Sequence, residues 1–441
     1  MFQRTARCAA GVLVAVSMGR FALAGDWPQW RGPARDGIVG CFTAPSVWPE
    51  KLKKVWSIEA GAGDASPLVA GGKIYLHARQ GGNETVSAFD LASGKLLWRD
   101  SYPASQGLSA TPALDGGVLS ALGVDPILPA IDPAAGKDSP AAQAEGPYAT
   151  PTLDGGVLYA FGVNTILSAY DPAVGKLLWR RDFARELPTP RPNFGTSASP
   201  LVVDGMVVIQ VGGSGKGAVV ALDAKTGGFR WRLVDGGPSY GSPVAATFGG
   251  VRQVIVPTEK TILGAALATG EKLWEMPFPV PYDQNMLTPL VVGDTFIMSG
   301  SDTDTQAIRV SRKDGTWVTE KVWGNRSISM SMSSPVLADG LLCGFSSFRR
   351  GHVFCADPRT GEVRWKSEGG EGESAAVVAS GNHLFILRSD AELQVVRKTG
   401  GEIRKIAQYT VADATTWATP VLLDGRILVK DAKRLTLWSL G

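Results

Sequence analysis

Histidine and cysteine are scarce in this chain, at three and four residues among 441. His77, His352 and His383 are scattered, and no C-x-x-C, adjacent cysteine pair or Cys/His cluster occurs. Structural zinc and thiol redox chemistry both need such clusters, so neither is expected and no metal site is assigned. Charge is sparse as well: 19% of residues, 44 basic against 41 acidic. A chain so nearly neutral carries no warrant for nucleic acid or an anionic membrane as partner. The apolar run from Cys8 to Met18 is too short to span a bilayer, so no transmembrane anchor is expected in the mature protein.

Glycine and proline are abundant instead, at 54 and 28 residues. So many breakers disfavour a helical bundle. A hydrophobic content of 44% and thirteen tryptophans exclude a disordered chain. Composition points to an all-β protein of short strands and tight turns. Residues 1–24 read as a cleaved signal peptide: Arg4 and Arg7 form a basic start, the apolar run follows, and Ala22-Leu23-Ala24 supplies a small-x-small cleavage pattern. The expected location is periplasmic or secreted. Removing the leader's arginines leaves 41 basic and 41 acidic residues. Of the remaining cysteines, Cys343 and Cys355 flank a presumed hairpin turn. Two reduced, buried thiols are expected there, with a bridge open to them in an oxidising compartment.

Internal repeats set the architecture. D-L-A-S-G-K-L-L-W ends at Trp98, D-P-A-V-G-K-L-L-W at Trp179, D-A-K-T-G-G-F-R-W at Trp231 and D-P-R-T-G-E-V-R-W at Trp365; A-L-A-T-G-E-K-L-W, without the Asp, ends at Trp274. Ser-Pro or Thr-Pro lies upstream, with prolines at 67, 112, 151, 200, 243, 289, 335 and 420. Each unit reads as a short strand after the proline, a Gly-rich hairpin turn, two more strands, a D-x-x-T-G turn, and a fourth strand carrying the Trp. That is a β-propeller blade. Lys54 to Ile58 looks like a fourth strand without its first three, and Thr419 to Leu440 supplies three strands without a fourth. Pairing of these terminal strands would close the ring. Segment 111–137 matches 150–176 at 19 of 27 positions, yet lacks the Trp and carries Pro126 and Pro129 in its third strand. The expectation is eight regular blades over 51–441, with 111–149 a degenerate extra module.

These blades resemble the pyrroloquinoline-quinone (PQQ)-like repeats of quinoprotein alcohol dehydrogenase-like propellers. The opening D-W-P-Q-W-R-G-P-A-R-D-G, from Asp26 to Gly37, is similar to that of exported bacterial PQQ-like repeat proteins. The resemblance implies a relationship with quinone-dependent dehydrogenases and with the propeller lipoprotein of outer-membrane β-barrel assembly. In the dehydrogenases the quinone stacks on a disulfide between adjacent cysteines beside a calcium ion. No such pair occurs here, and no matching Glu/Asn/Asp set can be mapped. No cofactor is expected and no catalytic residue is assigned.

Trp98, Trp179, Trp231, Trp274 and Trp365 recur once per blade, as structural wedges do and catalytic groups do not. Residues 25–50, with Trp27, Trp30 and Arg31, read either as a strap packed on the ring or as an aromatic surface for a sugar or peptide. Asp302 and Asp304 read as a solvated turn. The loops before each Ser/Thr-Pro should ring one channel mouth. Asp64, Ser109, Tyr148, Ser197, Tyr240, Met286, Met332 and Trp417 stand three residues before the prolines, with Asn193, Asn285 and Arg326 nearby. Tyr148, Asn193, Tyr240, Asn285, Arg326 and Trp417 are the candidate ligand-binding residues, and a plain channel plug is the equal alternative. The reading is a non-catalytic scaffold of the cell envelope that binds a protein, peptide or glycan. The alternative is a PQQ-dependent oxidoreductase. A carbohydrate-processing enzyme has no carboxylate pair behind it.

Overall fold

The computed structural model describes residues 25–40, 42–103, 146–187, 189, 192, 195–213, 215–399 and 402–441, and the backbone of 113–115 and 118–120. The leader, Cys41, Ser109, Asn193, Pro126, Pro129 and most of the 111–149 module lie outside the described residues.

Eight four-stranded antiparallel sheets form the blades of a propeller. The third blade shows the plan: an inner strand Leu201–Val203, then Met206–Gly213 and Lys216–Asp223, then an outer strand Phe229–Asp235. The first blade spans 68–103, the second 152–182, the fourth 244–277, the fifth 290–325, the sixth 336–366 and the seventh 375–410. The eighth is composite. Its strands Val421–Leu423, Arg426–Lys430 and Arg434–Ser439 are joined by Lys53–Glu59, paired from Lys53↔Ser439 to Glu59↔Arg434. Middle strands are covered on both faces by neighbouring blades, so Met206–Gly213 is buried almost throughout; Phe229–Asp235 is mostly uncovered.

The D-x-x-T-G turn is built from its own side chains. Asp223 Oδ1 accepts from the N–H groups of Lys225 (3.1 Å) and Thr226 (2.9 Å) and from the Thr226 hydroxyl (2.9 Å). Gly227 N donates back to Asp223 O at φ 70°. The turn also shifts the strand register by one residue between Ala221 and Leu222, and the same shift recurs at Ala88/Phe89, Ala169/Tyr170, Gly264/Ala265 and Cys355/Ala356.

That turn is also a seat for the preceding blade. The Trp98 indole donates to Pro172 O (3.0 Å), Trp179 to Ala224 O (3.1 Å), Trp231 to Leu267 O (2.8 Å), and Trp56 to Leu91 O (3.1 Å). Each ring lies against the turn glycine of the next blade. A Cβ at Gly175, Gly227 or Gly270 would come within 2.5, 2.8 and 2.5 Å of Trp98, Trp179 and Trp231. Trp274 instead bonds Gln253 Oε1 within its own blade and stacks on Phe296 of the next, centroids 5.7 Å apart. Trp365 is half-buried against the core shared by the sixth and seventh blades.

The expectation of free thiols is corrected. Cys343 and Cys355 stand directly opposite each other on adjacent antiparallel strands and form a disulfide. Cross-strand register brings the two sulfurs together inside the buried core of the sixth and seventh blades.

Gly270 and Gly72 both hold left-handed backbone, φ 73° and 75°, but a Cβ at Gly72 meets nothing within 4 Å. Gly72→Ala should cost ~1–2 kcal/mol from conformation alone. Gly270→Ala should cost clearly more, because the buried Trp231 ring must also move. Parallel denaturation curves measure the difference; equal losses would show that the Trp–Gly contact is slack.

Candidate functional site

The hydroxyls of the Ser/Thr-Pro motifs form a chain of hydrogen bonds around the channel. Thr419 N donates to Ser66 Oγ (2.8 Å), Ser66 N to Thr150 Oγ1 (3.0 Å), Thr150 N to Ser199 Oγ (3.0 Å), Ser199 N to Ser242 Oγ (2.9 Å), Ser242 N to Thr288 Oγ1 (3.1 Å) and Thr288 N to Ser334 Oγ (3.3 Å). At the seventh blade, which lacks the proline, the sense reverses and Ala375 N donates to Ser333 Oγ. The buried N–H groups that no sheet pairs are thereby satisfied by the neighbouring blade.

Two residues before each hydroxyl, an extended chain again faces the channel. Asp64, Tyr148, Ser197, Tyr240, Met286, Met332 and Trp417 all line one cavity of about 490 Å³, with Ser199, Ser242, Thr288 and Ser334 beneath them. These are the seven described members of the positions three residues before a proline. They come from seven of the eight junctions between blades, so the cavity lies on the propeller axis.

Gln284 joins them, and Trp30 completes the lining. It belongs to a segment, 25–40, that runs across the inner strands. Trp27 exchanges backbone bonds with Val69, Pro28 O accepts from Leu153 N, and Val39 N bonds Ala379 O. Arg35 donates to Ser199 O (3.2 Å) and Pro200 O (2.9 Å), and Arg31 to Asp36 O and Pro335 O. Trp27 is 2% exposed, in the core shared by the first, seventh and eighth blades, and its ring fills the space where a Gly32 Cβ would stand. The Trp30 indole donates to Thr288 Oγ1 at 3.1 Å. The two arginines are buried on carbonyl oxygens, and burial lowers Arg31 to about 10 and Arg35 to about 9. The segment makes the axial cavity a cup with an aromatic floor.

Of the sequence-based candidates, Tyr148, Tyr240 and Trp417 meet in the cup. Asn285 does not line it: fully buried, its amide donates to Thr258 O (2.8 Å) and Phe278 O (3.1 Å) and pins the loop. Arg326 lies outside, half-exposed and 3.8 Å from Asp302. Asn193 lies outside the described residues. Trp30 was read as part of a packed strap or of an aromatic surface for a sugar or peptide, but nothing local in its sequence marks it as the floor of the cup.

Asp64 is the one acidic or basic residue among those lining the cup. Burial raises its carboxyl above the ordinary value, opposed by Lys430. The Lys430 ammonium, buried and lowered to about 8 by desolvation, donates to Gly63 O (2.9 Å) and Asp431 O (2.6 Å). A second polar cluster is sealed between the first and second blades. Tyr102 OH donates to Glu84 (2.9 Å), His77 lies 3.3 Å from the same carboxylate, and Val163 N donates to it at 3.0 Å. Burial works to raise the Glu84 carboxyl, but these bonds hold it below its ordinary value. Among the described residues, no three His, Cys, Asp or Glu side chains are grouped to hold a metal ion. No helix among them is long and apolar enough to cross a membrane.

A family model described as outer membrane protein assembly factor BamB matches residues 48–147, 139–367 and 349–440. Among solved structures, BamB from Moraxella catarrhalis is 16% identical at a TM-score of 0.59, covering 88% of this chain and 99% of that one. A europium-containing methanol dehydrogenase is 12% identical at 0.65, covering 95% and 98%. The quinohemoprotein alcohol dehydrogenase of Comamonas testosteroni is 14% identical at 0.63, covering 95% and 81%. At such identities the likeness is one of fold. A search of curated proteins found no match.

The strap's anchor and the cup's rim separate by mutation. Trp27→Ala should cost about 3–5 kcal/mol, as deletion of a buried aromatic does. Trp417→Ala, at a rim position 38% exposed, should stay within about 0.5 kcal/mol. Thermal unfolding of the two variants checks this; equal losses would make Trp417 a structural residue.

Proposed function

Starting from the fact that this chain belongs to the family of the outer membrane protein assembly factor BamB, we propose that it is a non-catalytic binding scaffold of the cell envelope. It reaches the periplasm or exterior by cleavage of residues 1–24 and holds a ligand, or a segment of a protein, peptide or glycan, in the axial cup. The observation that carries this reading is the convergence of seven loop positions and Trp30 on one cavity. Cavities of this size with mostly apolar walls and a few polar groups are the usual form of a binding site.

An oxidoreductase using PQQ is the alternative, since two of the similar structures are a methanol dehydrogenase and a quinohemoprotein alcohol dehydrogenase. The residues do not fit that group. The cofactor is a polycarboxylate, and the cup's one ionic group is itself a carboxylate. The disulfide Cys343–Cys355 joins residues 12 apart in the wall of the sixth blade rather than neighbours beneath a ring.

We read the composite eighth blade as the latch of the ring and segment 111–149, up to the loop that brings Tyr148 to the cup, as an incomplete extra module or insertion outside it. Two contacts support this: Ser66 N bonds Thr150 directly, and Trp98 bonds Pro172 directly, so the first and second blades meet without the intervening copy. Deleting 111–149 puts Ser109-Ala110 ahead of Thr150 and should leave a folded protein with a melting temperature close to the parent's. Collapse on deletion would make the segment an integral blade.

The function itself is tested by mass spectrometry of protein purified from its native host. A bound species should be retained by the parent and lost from Ser197→Trp, which narrows the cup at a partly exposed rim position, at unchanged melting temperature. An identical retained species in both, or none in either, would sink the reading. Stoichiometric binding of added quinone with calcium, and alcohol-dependent dye reduction, would replace it with the oxidoreductase.

A further inference from the structure

The cup's chemistry is one-sided. Its rim carries three aromatic rings, Tyr148, Tyr240 and Trp417, and two methionines, its floor is Trp30, and its single ionic group is the Asp64 carboxylate. The Asp64 main-chain N–H bonds Pro147 O, but no hydrogen bond or ion pair with a described residue holds its carboxylate. The nearby cation Lys430 is spent on two carbonyl oxygens. The loops on either side of the seventh blade, 367–374 and 411–418, contribute Glu368, Glu371, Glu373 and Asp413 and no basic residue. Arg326, on another loop at this face, already faces Asp302.

We infer that the cup recognises a small organic cation, a quaternary or protonated ammonium group seated among the aromatic rim residues against Asp64. This rests on the reading of the cup as a binding site and adds the class of its ligand. Indole and phenol faces attract cations through their quadrupoles, and most strongly where water is displaced. Aromatic walls alone would take a neutral ring equally well; the carboxylate decides the sign. A carboxylate that has lost solvent and gained no direct partner is costly, and burial raises the Asp64 carboxyl accordingly. A cation in the cup supplies the direct partner that Lys430, held on two carbonyl oxygens, does not. An anion would meet that same carboxylate with no lining cation to offset it.

The test pairs choline with its uncharged isostere, 3,3-dimethyl-1-butanol, each titrated into the full mature chain and followed by calorimetry and tryptophan fluorescence. Choline should bind about tenfold or more tightly than the isostere, the scale of a desolvated cation–aromatic contact. Asp64→Asn should abolish most of that preference and leave isostere binding unchanged, whereas Asp64→Glu should keep it. Trp417→Ala should weaken choline binding with the melting temperature intact. Equal affinity for the two probes, a preference that survives Asp64→Asn, or absence of saturable choline binding would each overturn the inference. In that last case, a native-host species lost from Ser197→Trp would still leave the cup a binding site, for a ligand of another class.

Discussion

The hydroxyl-to-amide bonds around the channel are the constraint on which the rest of this structure depends. Inner strands of a propeller crowd together at the axis, where the loop entering each strand has no sheet partner for its N–H. A serine or threonine there offers its oxygen to the N–H of the preceding blade, and the proline that follows brings no N–H of its own to satisfy. Six consecutive links run from Thr419 to Ser334. They fix the spacing of the blades and the direction in which the residue two positions earlier points. The cup inherits its geometry from this necklace: Ser199, Ser242, Thr288 and Ser334 belong to both.

Much of this was legible in the sequence because the decisive chemistry is local. The D-x-x-T-G turn closes on its own Asp and Gly, so its recurrence marked the blades. Tyr148, Tyr240 and Trp417 were legible because an extended chain alternates: they share parity with the hydroxyl that faces the channel. Asn285 breaks that parity, four residues before Pro289, and its amide turns into the protein to bond Thr258 and Phe278. Arg326 stands nine before Pro335, too far for the alternation to bear on it. The disulfide was missed because strand register, not spacing along the chain, sets Cys343 opposite Cys355.

The strap was the least legible part. Several of its contacts join residues more than a hundred positions apart, such as Arg31 with Pro335 and Arg35 with Pro200. Composition showed only that W-P-Q-W-R-G-P could not be a regular strand or helix. Each of its residue types has a specific place. Trp27 anchors the segment in a core, Gly32 makes room for that ring, the arginines cap orphan carbonyls of the inner strands, and Trp30 turns toward the cup. Fold and candidate site are therefore joined through sixteen residues that lie outside every repeat.

The composite blade also sets a timetable. Ser57 and Thr436 are 379 residues apart, yet their hydroxyls bond at 2.9 Å. The strap waits likewise, for Val39 meets Ser380 across 341 residues. The first strand of the composite blade to be made thus has no edge to join until the last strand emerges, and loop closure over that span precedes any reward from the contact. Seven internal blades can condense from local pairings while both termini stay unengaged. A chain of this topology commits to its final form only once its last strand has been made.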